Sequence, residues 1–331
     1  MRHPLISIVM PAFNAGKYIR EAINSVLNQS FDNWELIIVD DASTDNTYYI
    51  AMEYAEKDDR ITLFRLSENS GTVQIPRNKA ISLAKGDWIL GLDSDDYIEE
   101  RDLEKLYNRA VTTNAEIVLH RIVSVNENGT PIGDSIPSHD FSMDTVLTGK
   151  EACMKTIGRW EINGNGIFRK ELYQKLFDNR EVTTVNSDEY DTRFLLLHAS
   201  KVVFSDSEYY YRQNSNSITR CISYKRFDVL IVDHDLELLI GEMYGTNSQE
   251  YLRMVNQRFN NLIALTRLYK QNEKKITMEH RERIVELLKC SYYEIDKKKI
   301  CSTSFIKKIL FDSGWKMFCF IVMAYFKIRK A

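Results

Sequence analysis

Three carboxylates stand within four positions at Asp93-Ser94-Asp95-Asp96, directly after the apolar run Trp88-Ile89-Leu90-Gly91-Leu92. An apolar run this short, bounded by Gly86-Asp87 and by acids, reads as a strand buried on both faces. In an open α/β sheet, ligands sit beyond the carboxyl ends of the strands. Side chains at i and i+2 of an extended segment share a side, so Asp93 and Asp95 would converge while Ser94 turns away. Two close carboxylates repel unless something cationic lies between them. A hard divalent cation, Mg²⁺ or Mn²⁺, takes oxygen ligands and commonly shares its shell with substrate phosphates. The competing reading is an acidic turn that caps the next helix, a position Asp and Ser both favour.

The surrounding pattern supplies the elements that would position these acids. Leu5 to Met10 is a second doubly buried strand, stopped by the loop Pro11-Ala12-Phe13-Asn14-Ala15-Gly16. Ile19, Ala22, Ile23, Val26 and Leu27 recur at helical spacing. Glu35 to Val39 is a third short strand, ending in Asp40-Asp41-Ala42-Ser43-Thr44-Asp45, and the next helix runs to about Ala55. Ile61 to Leu66 is another strand, and a helix from about Val73 to Ala84 leads into the acidic one. This alternation predicts a doubly wound, Rossmann-like, mainly parallel α/β sheet with right-handed crossovers. The three polar loops would then line one crevice. Asp41 could accept hydrogen bonds from a pyrimidine or a sugar hydroxyl there, and Arg77 could meet a phosphate or simply lie on a helix surface. The glycines match neither Gly-x-Gly-x-x-Gly nor a phosphate-binding Walker loop, which argues against the usual dinucleotide and P-loop ATPase readings.

Composition bounds the rest. The 331 residues are long enough for two domains, and the five cysteines are widely spaced, with no Cys-x-x-Cys pair. That fits a reducing compartment without structural zinc or disulfides. The start of the chain has no leader pattern, so a cytoplasmic protein is expected. The net charge of -3 hides an asymmetry: residues 297–331 carry +8, leaving -11 on the remainder. An acidic body of this kind is a poor nucleic-acid binder.

Ser7-Ile8-Val9-Met10-Pro11-Ala12-Phe13-Asn14, Ser25-Val26-Leu27-Asn28-Gln29 and Ile37-Ile38-Val39-Asp40-Asp41-Ala42-Ser43-Thr44-Asp45 resemble the opening signature of the inverting family 2 glycosyltransferases. Asn69-Ser70-Gly71, Pro76-Arg77-Asn78 and Leu92-Asp93-Ser94-Asp95-Asp96 continue that pattern in order. The ordered series covers about a hundred residues and is similar to bacterial enzymes that glycosylate wall teichoic acid or build capsular and lipopolysaccharide chains. The resemblance implies a GT-A fold, a UDP-sugar donor and Mn²⁺ or Mg²⁺. By position it places Pro11 and Phe13 against the nucleotide, Asp41 on the uracil with Asp40 in support, and Arg77 near the diphosphate. It makes Asp95 the direct metal ligand, with Asp93 reaching the ribose or the metal shell and Ser94 in the donor-binding turn. Val73-Gln74-Ile75-Pro76 departs from the small-residue-Ala stretch more usual before Arg-Asn.

Inverting transfer needs a base for the acceptor hydroxyl. The family has Glu-Asp at the corresponding helix; here Ser187-Asp188-Glu189-Tyr190-Asp191 reverses the order. Glu189 falls at the base position with Asp188 its neighbour, and Asp191 is a third candidate. Acids at a helix N-terminus also suit the macrodipole without any chemistry. Trp160, Asn163 and Arg212 are acceptor-side candidates, since aromatic faces stack on sugars and amides bond hydroxyls; a half-buried core Trp and a strand-end Arg are the plain alternatives. A loop over residues 134–141 would border the acceptor.

From residue 221 the pattern turns helical, with helices expected at 226–244, 248–270 and 278–293. This divides the chain into a catalytic domain, 1–220, and a helical domain, 221–331. Met317 to Phe326 is uncharged between Lys316 and Lys327, too short to cross a bilayer but suited to an anionic membrane interface. A helix packed on the body is the alternative. The sequence therefore points to a metal-dependent inverting transferase acting on a cell-surface glycan or lipid-linked precursor, cytoplasmic and peripheral to the membrane. Two rivals remain: a sugar-phosphate nucleotidyltransferase, which would release pyrophosphate in place of UDP, and an inactive carbohydrate-binding protein, which the intact acids disfavour.

Overall fold

The computed structural model describes residues 5–132, 142–158, 160–178, 187–213, 224–300 and 314–328. The expected loop at 134–141 and part of the basic stretch at 297–331 lie outside them. The chain divides into two compact units, Met1–Thr183 with Asp191–Ser217, and Thr184–Tyr190 with Ile218–Ala331.

The first unit is built on a mixed sheet. Its strands are β1 (Ile6–Ala12), β2 (Trp34–Asp40), β3 (Ile61–Arg65), β4 (Trp88–Gly91), β5 (Tyr97–Ile98), β6 (Ile117–Val125), β7 (Val146–Leu147), β8 (Gly166–Arg169) and β9 (Val202–Arg212). They run in the order β3-β2-β1-β4-β8-β6-β9-β5, with β7 on β9. The first four are parallel, as the doubly buried runs require. β8 then enters antiparallel between β4 and β6, so the sheet is mainly but not wholly parallel. Helices α1 (Ile19–Leu27), α2 (Thr47–Ala55), α3 (Gln74–Leu83), α4 (Asp102–Thr113), α5 (Gly149–Met154), α6 (Lys170–Asp178) and α7 (Ser187–His198) connect the strands. α1 buries Ile19, Ala22, Ile23 and Val26, the stripe its spacing predicts.

β1 does not stop at Pro11, as the sequence suggested, but continues to Ala12 against β2. The reason is local. β1 pairs with β4 only over Ile6–Val9, and the Val9 carbonyl accepts the Leu92 N–H at 3.1 Å on that side. Pro11, two residues on, presents its missing N–H to the same side, beyond the end of the β4 ladder. A proline is tolerated in a strand only where no partner needs that donor.

The second unit is helical: α8 (Val229–Tyr244), α9 (Gln249–Asn272), α10 (Met278–Glu294) and α11 (Gly314–Ile328). Ser248 and Thr277 cap α9 and α10 through their hydroxyls. The core of this unit is partly ionic. Arg258, 1% exposed, is held by Glu237 at 3.0 Å and Glu294 at 2.6 Å, while Asp233 accepts from Gln257 and Asn261. Buried charges persist only when paired in this way.

Candidate active site

The carboxyl ends of β1, β2 and β4 bring the first three polar loops together. Asn14 locks the first two: its amide N–H donates to Ser43 Oγ at 3.0 Å and its Oδ1 accepts the Thr44 N–H at 2.8 Å. The Gly16 N–H adds a bond to Asp45 at 3.0 Å. Asn14 (φ 49) and Ala42 (φ 55) both adopt left-handed backbone. For Ala that costs on the order of 1–3 kcal/mol, and such strain concentrates at functional loops. Pro11 is buried beneath this junction, and the Phe13 ring beside it is 48% exposed.

The paired acids of the second loop have separate tasks. Asp40 is fully buried, accepts the Ser43 N–H at 3.2 Å and pairs with Arg65 at 3.2 Å. It fixes the loop. Asp41 receives the Ser70 N–H and Oγ–H, each at 2.9 Å, and Asn69 Nδ2 at 3.0 Å. The Asn69-Ser70 loop therefore lies directly over Asp41.

Asp93 to Asp96 is not extended. The Asp96 N–H donates to the Asp93 carbonyl at 3.1 Å and closes a turn, so the alternation expected of a continuing strand does not set the side-chain directions. Asp93 is ion-paired to Arg77 of α3 at 3.0 Å. Ser94 is buried in the turn and Asp95 half-buried. Asp96 is buried and accepts the Tyr209 hydroxyl and the Arg212 N–H, both at 2.7 Å. Burial pushes the Asp96 carboxyl well above the usual carboxylate range, and the charges of Asp95 and Asp93 push it the same way. Tyr209 is itself held up, first by burial and then by Asp96 and Asp93, and remains a neutral donor. The same hydroxyl accepts the Asp93 N–H at 3.2 Å.

Arg212 completes the turn. Nε donates to the Asp95 carbonyl at 2.8 Å, Nη1 to the Glu127 carbonyl at 2.7 Å and Nη2 to Glu21 at 2.6 Å. With its guanidinium engaged in these bonds, this buried arginine braces the acidic turn.

Helix α3 links the turn to α7. Arg77 holds Asp93, and one turn earlier Gln74 Nε2 donates to Asp191 of α7 at 2.5 Å and to Asn78 at 2.8 Å. The buried Tyr173 hydroxyl feels both Arg77 and Asp191: burial raises it, Arg77 lowers it and Asp191 raises it further. Asp191 of α7 thus lies close to Arg77 through Gln74 and Tyr173. Asp188 is exposed and Glu189 half-buried, in the first turn.

The sequence model described as Glycosyl transferase family 2 matches residues 7–177, more than half of the chain. The chain belongs to glycosyl transferase family 2. Among relatives of this glycosyltransferase, glycosyltransferase GlyG of Streptococcus pneumoniae is 34% identical over 65% of this chain and 73% of its own length. The putative teichuronic acid biosynthesis glycosyltransferase TuaG of Bacillus subtilis is 40% identical over 46% and 59%. Staphylococcus aureus TarS, residues 1–349 in complex with UDP-GlcNAc, superposes with a TM-score of 0.66 at 21% identity, covering 89% of this chain and 82% of that one. It shares the GT-A fold.

Of the three acceptor-side candidates, Arg212 lies in the acidic turn, while Trp160 and Asn163 fall elsewhere in the same unit. Trp160 is half-buried, with the guanidinium of buried Arg193 4.6 Å from its ring centroid. Asn163 is buried and ties the loop together, donating to the His120 carbonyl and accepting the Asn165 N–H, each at 2.9 Å.

Among the described residues no group of three or more His, Cys, Asp and Glu is arranged as a metal site. The acidic turn nevertheless fits a divalent cation of the kind bound by one or two carboxylates and substrate phosphates together. Its Asp93 and Asp95 carboxylates are hard oxygen donors of the type such a cation takes. Tyr209, Tyr173 and Gln74 had no role from their motifs. Gln74 carried a signal, as a departure from the family's common form, and Tyr209 lies in Glu208-Tyr209-Tyr210-Tyr211-Arg212, which resembles the family's closing strand; Tyr173 carried none beyond apolar spacing.

Proposed function

We propose that this enzyme transfers a hexosyl or N-acetylhexosaminyl group from a UDP-sugar to a hydroxyl of a cell-surface polysaccharide or lipid-linked precursor, with inversion. The observation that carries this reading is the continuous link Asp93–Arg77–Gln74–Asp191, which joins a donor-side acid to an acid of α7 through one turn of α3. Support for the donor and polymer class comes from the relatives, one named for teichuronic acid biosynthesis and one solved with UDP-GlcNAc.

Asp41 and the Asn69-Ser70 loop seat the uracil, and Pro11 and Phe13 border it. Arg77, paired with Asp93, lies where it can exchange a carboxylate for a diphosphate oxygen. Asp95 and Asp93 would hold Mn²⁺ or Mg²⁺, which neutralises charge on the departing diphosphate. Asp191 takes the acceptor's proton as the hydroxyl attacks the anomeric carbon from the face opposite the leaving group. Glu189 and Asp188, one turn earlier, are its rivals for that task. Trp160 offers an aromatic face to the acceptor. We place the enzyme in the cytoplasm at the inner face of the membrane, on the strength of the basic, apolar sequence over 305–331.

The test is product analysis across UDP-, GDP-, dTDP- and CMP-sugars, with and without Mn²⁺. UDP release from one UDP-sugar, dependent on metal and lost in Asp95→Ala, is expected. Pyrophosphate release would make the protein a nucleotidyltransferase, and no donor binding by folded protein would make it a carbohydrate-binding relic. Asp191→Asn, Glu189→Gln and Asp188→Asn compared side by side locate the base. Turnover surviving only in Glu189→Gln and Asp188→Asn supports Asp191, and loss in Glu189→Gln alone returns the role to Glu189.

A further inference from the structure

Behind the acidic turn lies a buried polar pair that the transfer reaction does not use. His120 of β6 and Asp102, the first residue of α4, are both fully buried, with His120 Nδ1 3.0 Å from Asp102 Oδ1. The imidazole packs against the Tyr209 ring, with 5.3 Å between ring centroids. Tyr209 is the residue whose one hydroxyl bonds both Asp93 and Asp96. His120 is thus one aromatic ring removed from the turn.

The backbone of His120 is anchored as well. Its carbonyl accepts from Asn163 Nδ2 at 2.9 Å, and its N–H donates to the Asn165 carbonyl at 3.1 Å. The strand is irregular at this point. Leu119 faces Phe204 and Arg121 faces Glu208, so the ladder of β6 on β9 loses its register at His120. Irregularities of this kind re-aim a side chain and are frequent beside active sites.

The pair weakens the core in which it sits. Among the described residues, His120 Nε2 and Asp102 Oδ2 are buried without a hydrogen-bond partner. Two apolar side chains of similar volume would avoid that penalty. What the pair adds over them is direction. The bond to Asp102 fixes the plane of the imidazole, and with it the face that meets Tyr209.

We propose that His120, anchored by Asn163 and Asn165 and oriented by Asp102, is a positioning residue that holds the acidic turn in place through Tyr209. The donor arm of its test rests on the transfer reading above; the other arm does not. The variant is His120→Leu with Asp102→Leu in the full chain, which removes both partners together and should melt near the wild-type temperature. UDP affinity in Mn²⁺, read by calorimetry, is expected to fall about tenfold, as when a supporting partner behind a metal ligand is lost. In a Tyr209→Phe background the same exchange is expected to add no further loss, because groups that act through one contact are not additive. Tyrosine labelled with ¹³C gives a reading that needs no donor: the Cζ signal deleted by Tyr209→Phe is expected to shift in the double leucine variant. Asp102→Asn, which keeps the volume, is expected to move both readings the same way by less, and it carries the test if the double exchange does not fold. An unmoved Tyr209 signal, UDP affinity unchanged in a folded variant, or losses that multiply with Tyr209→Phe overturns the proposal. A shifted Tyr209 signal in a protein whose wild type binds no UDP defeats the donor reading and leaves the positioning of the turn standing.

Discussion

The Gln74 carboxamide reaches across from α3 to the Asp191 carboxylate of α7 at 2.5 Å, and its Oε1 is buried without a hydrogen-bond partner among the described residues. A buried orphaned acceptor has a cost of about 1–3 kcal/mol. Replacing it with Leu removes that cost together with the bond, so Gln74→Leu should fold. The Asp191 carboxylate then loses a donor that favours its charged form. Turnover of the UDP-sugar should fall about tenfold to a hundredfold with little change in its KM. A fall in kcat with the melting temperature and KM held separates this from simple loss of packing.

Tyr209 holds the acidic turn from below through one hydroxyl that donates to Asp96 and accepts from Asp93. Tyr209→Phe strands both groups in a buried place. A loss of about 1–3 kcal/mol in unfolding free energy is expected, read by denaturant titration, together with weaker donor binding by calorimetry.

Asp95→Asn should abolish metal-dependent turnover, a fall of about a hundredfold or more, since stabilising the charge that builds on the leaving diphosphate is usually the largest single contribution to such catalysis. Its effect on stability runs the other way. One of the two charges that disfavour ionised Asp96 is gone, so in metal-free buffer near neutral pH the variant should melt at or above the wild-type temperature. A clear drop in melting temperature would contradict this account of the turn.

Asp96 also sets a pH dependence with a definite sign. Its carboxyl keeps its proton to higher pH in the folded chain than in the unfolded one, where it titrates near about 3.9. Between those two values the native state binds more protons, so stability from this group is fully present at the acid end and is lost as pH rises through the folded value. Compared with Asp96→Asn, the wild type should lose melting temperature as pH rises above about 4, then run parallel once the group is ionised. Scans at matched ionic strength check it.

Much of this was legible in the chain itself. The doubly buried runs at β1, β2 and β4 fixed neighbouring parallel strands, and with them the meeting of the Asn14, Asp41 and Asp93 loops. Three things were not legible. The antiparallel entry of β8 depends on what lies beside β4 in space, which no local period encodes. Arg212 reads as an acceptor-side candidate or a plain strand-end arginine until Asp95, Glu127 and Glu21 are seen around it. On α7 the Asp-Glu pair drew attention by resemblance, while Asp191 stood out only once Gln74 of another helix was found against it. Contacts between residues over a hundred positions apart leave no trace in spacing.

Pro11 has a last consequence. Where two strands part company, each offers a bare row of amides and carbonyls, a template that a stray segment of chain could zip into. With a ring in place of one amide hydrogen, β1 breaks that row just past Val9, where β4 has ended. A segment of chain laid along that edge would find no amide hydrogen at Pro11 to pair with.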